Sequence, residues 1–196
     1  MGYFEASVVV YLRAIYFPEG FTLPLTLPVD HKITVEVFRE VASMIMLIAV
    51  AAIAGKKFWE RFAYFIITFG VWDIFYYVFL KAILGWPATL LDQDVLFLIP
   101  LPWIGPVIAP VSISVIMIIA GVLIAHAYTK GLNFSPSLSS YFLSIIATAI
   151  ILYSFMYDTG ATLHNQMPKP YRYDLLIIGD LLFIVAFMVS YIKIRK

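Results

Sequence analysis

FAYFIITFGVWDIFYYVFLKAILGW, residues 62–86, decides what kind of protein this is. Only Asp73 and Lys81 interrupt an apolar run which, at about 1.5 Å of helical rise per residue, is long enough to cross a hydrocarbon layer of roughly 30 Å. A charge inside such a run costs about 3 kcal/mol on insertion scales, so it is normally shielded by protein or water and has a task.

The same reading extends outward to five predicted spanning helices, at about 34–55, 59–84, 106–128, 139–158 and 175–193. Composition agrees: of 196 residues, 63% are hydrophobic and 13% charged, and the mean hydropathy is +0.95. A soluble domain of this length needs far more charged surface. The expected class is therefore all-α, a polytopic membrane helix bundle forming one domain over residues 1–196. Residues 1–33 supply an interfacial segment and connector, and residues 34–196 the bundle.

Net charge is +1 without a basic tract, which leaves nothing to neutralise a phosphate backbone and excludes nucleic acid as partner. Cysteine is absent, so disulfides, thiolate metal sites, iron–sulfur clusters and thiol nucleophiles are excluded together. The first residues, MGYFEASVVVYLRAIYF, carry Glu5 where a signal peptide would be positive, and read as part of the mature protein. Their apolar run near 7–17 is too short to span and holds Arg13, as an interfacial or partly inserted helix would.

Two proline-rich stretches punctuate the pattern. FPEGFTLPLTLPVDH, with Pro18, Pro24 and Pro28, reads as an extended connector. VLFLIPLPWIGPVIAP is as apolar as a spanning helix, yet Pro100, Pro102, Pro106 and Pro110 deny it a regular helix. Irregular backbone at membrane depth must be buried in protein or line a watery cavity. A re-entrant or interfacial cap is expected, with Pro102, Trp103 and Pro106 over a pocket and Trp103 near the headgroups; an apolar surface loop is the plainer alternative.

Basic residues set the orientation. Lys56, Lys57, Arg61, Lys130, Lys193, Arg195 and Lys196 fall on one side of a five-helix arrangement, with Glu60 as its single acid. This predicts a multi-pass protein of the cell membrane with an extracytoplasmic N-terminus and a cytoplasmic C-terminus. No internal repeat and no GxxxG is found; the small residues of AVAAIAG, 49–55, suit close helix packing.

Depths follow from helical rise. Asp73 lies twelve residues beyond Arg61, about 18 Å from the cytoplasmic boundary, Asp180 about 9 Å below the outer surface, and Glu40 about 24 Å from the inner face. Asp73, Tyr77 and Lys81 share a helix face flanked by Tyr76, Glu36 and Glu40 share another beside Arg39, and Tyr153 and Tyr157 share a third next to Asp158. If these faces meet, they form an acid, arginine and tyrosine pocket open to the outside. Arg39 needs an acid partner, and the surplus acids suit a proton or cation site or a structural network of neutral carboxyls. The plainer readings are an acidic helix start for Glu36, Arg39 and Glu40, a snorkelling Lys81, and belt positions for many aromatics.

Named motifs are few. His31, His126 and His164 do not share a helix at ligand spacing, which excludes HExxH zinc chemistry and a pair of bis-His haems. His31 and His164 could meet across loops on one metal or haem, and His126 reads as a capping or interfacial residue. Asp92 and Asp94 could hold a divalent cation but read first as turn residues. No GxSxG, P-loop or dinucleotide fingerprint occurs. The stretch WDIFYY through GWP to DVLFLIPLPWIGPV, about 72–107, resembles a segment of prokaryotic multi-pass membrane proteins, a resemblance that implies no particular activity.

Three functions remain from the sequence. One is a proton- or cation-handling membrane subunit or small transporter, alone, as a homo-oligomer or within a larger complex. The second is an intramembrane enzyme on a lipid or quinone-like substrate, with a carboxyl as general acid or base. The third is a purely structural subunit. No metal and no cofactor is specified, and the bilayer is the one partner the composition demands.

Overall fold

The architecture was read from a computed structural model, which describes residues 1–18, 20–21, 31–97, 102–158, 160, 166–167 and 169–194. Five of its helices are long and apolar enough to cross a membrane, so the chain is a multi-pass helical membrane protein. In chain order the helices are α1 (Gly2–Tyr16), α2 (His31–Ala54), α3 (Phe58–Leu84), α4 (Ile108–Thr129), α5 (Leu138–Met156) and α6 (Tyr173–Ile194). A hairpin of β1 (Gln93–Phe97) and β2 (Trp103–Pro106) lies between α3 and α4.

The sequence sets the helix ends. Glu60 Oε2 accepts from the backbone N–H groups of Lys56 (2.7 Å) and Lys57 (3.3 Å) and starts α3. Gly85, at φ 68°, ends it with a left-handed turn that few other residues tolerate. Pro110 costs α4 nothing, because it stands in the first turn, where an N–H would have no partner in the helix.

Glycine sets the closeness of the central pair. A Cβ on Gly70 of α3 would stand 2.7 Å from the backbone oxygen of Ser114 on α4, and one on Gly121 would stand 2.8 Å from that of Ala63. Here α3 and α4 touch backbone to backbone. Gly55 has another reason: its Cβ would lie 2.7 Å from Arg61 N, so the small-residue end of α2 serves the tight turn into α3. The N-terminal helix is not a surface ornament. It packs along the second half of α3, with Gly2 against the carbonyl of Trp72 and Tyr3 edge-on to Phe79.

The proline-rich segment departs from expectation. Its described part up to Val107 forms no helix but two strands, paired antiparallel with register Gln93↔Pro106, Asp94↔Gly105 and Val95↔Ile104, and α4 begins at Ile108. Proline forbids helix, and the sheet partner satisfies the backbone that helix formation would otherwise have satisfied. Pro106 is fully buried and Trp103 stacks on Phe155 of α5 at 5.8 Å, so the Trp103 ring packs on the bundle. Trp103, Leu96, Phe155, Ile151 and Leu176 join one apolar cluster, which seats the hairpin on α5 and α6. Pro24, Pro28, Pro100 and His164, and the side chain of His31, lie outside the described residues.

Candidate functional site

A cavity of about 460 Å³ opens between α1, α2, α3, α4, α5, α6 and the hairpin. Most of its wall is aromatic and aliphatic, including Phe65, Phe69, Trp72, Trp103, Met117 and Phe155. Into it come two polar layers.

The first layer is built by four helices. Asp73, half-buried on α3, accepts a 2.9 Å hydrogen bond at Oδ2 from the Ser114 hydroxyl of α4. Among the described residues no other hydrogen bond reaches its carboxyl. Arg39 of α2 donates through Nε (2.8 Å) and Nη2 (2.5 Å) to Glu36 Oε1, and through Nη1 to Glu5 of α1. A longer 3.5 Å contact joins the same Nη1 to Ser43. Glu40 is buried and lines the same space.

The second layer joins α1 to the hairpin. Arg13 Nη2 donates to Asp94 Oδ1 at 3.0 Å, with both side chains buried. Its guanidinium lies between the rings of Phe21 (3.9 Å) and Trp86 (3.7 Å). The Tyr76 hydroxyl donates to Asp94 Oδ2 at 3.4 Å, and Tyr77 also hydrogen-bonds this carboxylate. Burial pushes the Asp94 carboxyl up to about 6 although Arg13 pulls it down, so at neutral pH it is an ionised, paired group that burial penalises.

The structure brings Glu36, Arg39, Glu40, Asp73, Tyr76 and Tyr77 to one cavity, with Trp103 in its wall. It does not bring in Asp180 or Lys81. Asp180 lies near Ser112 of α4, keeps one buried oxygen without a partner, and is not part of the cavity lining. Lys81 folds back onto the carbonyls of Gly85 (3.0 Å) and Pro87 (2.6 Å), closing the end of α3. Tyr153 is exposed and Tyr157 neighbours Lys169 and Arg172, so the expected tyrosine face of α5 points elsewhere. Pro102 is half-buried at the start of β2, and neither it nor Pro106 lines the cavity.

Four site residues escaped sequence reasoning as members of this group: Glu5, Arg13, Asp94 and Ser114. Arg13 and Glu5 were visible as charges in an apolar helix, but their partners lie 81 and 34 residues away. For Asp94 strand periodicity gave no signal, since residues two apart share a strand face; Asp92 lies before β1 and turns away to accept from Ala88 N (2.7 Å) and Thr89 Oγ1 (2.8 Å). The two acids therefore take different partners. Among the described residues no group of three or more His, Asp and Glu side chains stands ready to hold a metal. His126 is exposed in the last turn of α4.

No family model matches the chain, and no curated protein or solved structure is detectably similar to it. What the fold and site define is a class: a membrane-spanning helix bundle with a cavity that is apolar in its walls and charged at two levels.

Proposed function

We propose that the protein binds a lipid- or quinone-class amphiphile inside the membrane, with Asp73 handling the polar end of that molecule. The observation that carries the reading is the Asp73 carboxyl, held by Ser114 on one oxygen and otherwise facing a largely apolar cavity. A cavity of about 460 Å³ falls within the usual range for small-molecule sites, and a few polar groups set in an apolar wall are their usual chemistry. The geometry suits a general acid or base: Ser114 fixes one carboxyl oxygen and leaves the other to exchange a hydrogen bond or a proton with the ligand. The asymmetry of basic residues supports an extracytoplasmic position for the hairpin end of the cavity.

A second reading, a proton- or cation-handling subunit, has one specific support. Five acids line the cavity (Glu5, Glu36, Glu40, Asp73, Asp94) against two guanidinium groups (Arg13, Arg39). Its weakness is that Asp180, the outward continuation expected for a relay, lies elsewhere.

Tryptophan quenching tests the first reading. In a Trp59→Phe/Trp86→Phe background only Trp72 and Trp103 remain, and both line the cavity. Brominated dodecanol added to the protein in nanodiscs should quench them saturably, and unbrominated dodecanol should reverse the quenching. Linear quenching without competition would show only bulk partitioning and would defeat the reading.

A further inference from the structure

Among the described residues, both cations that line the cavity are already paired with carboxylates. Arg39 uses all three of its guanidinium nitrogens: Nε and Nη2 on Glu36, Nη1 on Glu5 and Ser43. Arg13 is bound to Asp94, and both its faces are covered by rings. Its Nε is buried without a hydrogen-bond partner. Lys81, the other base on the Asp73 helix face, is bound to backbone carbonyls beyond the end of α3. Among the described residues, the carboxyl groups that line the same space, from α1, α2, α3 and β1, outnumber these cations five to two.

From this charge arrangement we infer that the cavity excludes anionic amphiphiles, and that its occupant carries a neutral or amine head. The inference rests on the ligand reading above and sharpens its substrate class. A phosphate or carboxylate head would have to displace Glu36 or Glu5 from Arg39, leaving a carboxylate buried without its counter-charge. Otherwise it must sit among carboxylates beside guanidinium groups that are, among the described residues, already paired, and like charges placed together in such a site are strongly disfavoured. An alcohol, a carbonyl or an amine meets neither obstacle, because the Asp73 carboxyl can serve each of them. Membrane phospholipids and free fatty acids are thus kept from a cavity that their tails would otherwise fit.

The test uses three probes with one tail. Dodecanol, dodecylamine and dodecyl phosphate, each below its micelle concentration, compete with brominated dodecanol for quenching of Trp72 and Trp103. Dodecanol and dodecylamine should displace it, and dodecyl phosphate should need at least about tenfold more. In Glu5→Gln/Glu36→Gln, or in Glu36→Gln alone if the double variant folds poorly, Arg39 loses carboxylate partners and the phosphate should gain most of that factor. Wild-type protein that takes dodecyl phosphate as readily as dodecanol would overturn the charge rule while leaving the ligand site standing. Saturable binding of none of the three would overturn both.

Discussion

Arg13→Met removes one half of the buried pair that ties α1 to the hairpin, and its cost should depend on pH. Asp94 ordinarily titrates near 3.8 and is pushed up to about 6 in the folded protein. The folded state therefore holds this proton more tightly than the unfolded state. Stability from this group is highest below about pH 4, falls by roughly 3 kcal/mol as pH rises to about 6, and is level above. Methionine keeps apolar contact with Phe21 and Trp86 but takes away the guanidinium that opposes the rise. The fall should then continue to higher pH. At pH 8 the variant should lose about 3–5 kcal/mol, the cost of a buried charge without its partner. At pH 5, where Asp94 carries its proton in both proteins, the loss should shrink toward about 1 kcal/mol, the part owed to cation–π contact. Fluorescence-monitored unfolding in mixed micelles at the two pH values measures this, and Arg13→Met/Asp94→Asn should lose the difference. Equal destabilisation at pH 5 and pH 8, or a pH dependence that survives in the double variant, would refute the reasoning.

Other perturbations separate the site from the scaffold. Gly70→Ala forces a Cβ to within 2.7 Å of the Ser114 carbonyl, so α3 and α4 must part, at a cost of about 1–3 kcal/mol in unfolding measurements. Asp73→Asn should weaken dodecylamine binding about tenfold or more in the quenching assay and leave the unfolding midpoint within the range of ordinary surface changes. Asp180→Asn should leave that binding unchanged, because its carboxyl does not line the cavity. Lys81→Met should remove only a helix-end contact, about 0.5–1 kcal/mol of stability, with binding unaltered.

The spanning helices were legible because hydrocarbon imposes a length and a composition on them: the expected 59–84 and 175–193 became Phe58–Leu84 and Tyr173–Ile194. Asp73 was legible for the same reason, as a charge where charge is costly. Partnership was not legible. Arg39 and Glu36 are a turn apart and declared themselves, whereas Arg13 finds Asp94 only because α1 packs along α3 and the hairpin folds over both. The hairpin itself was hidden by its prolines, which announce the absence of helix without naming the strand that replaces it. Asp180 looked equivalent to Asp73 in depth, but depth says nothing of rotation about the helix axis, and α6 turns it toward Ser112.

The most direct test is a map of the purified protein at a resolution that shows waters, read in the cavity beside Asp73. Elongated density between Trp72 and Trp103, with its polar end within hydrogen-bond distance of the free Asp73 oxygen, is the result expected of an amphiphile site. A file of ordered waters running past Asp73 with no such density would contradict it and favour the proton- or cation-handling reading.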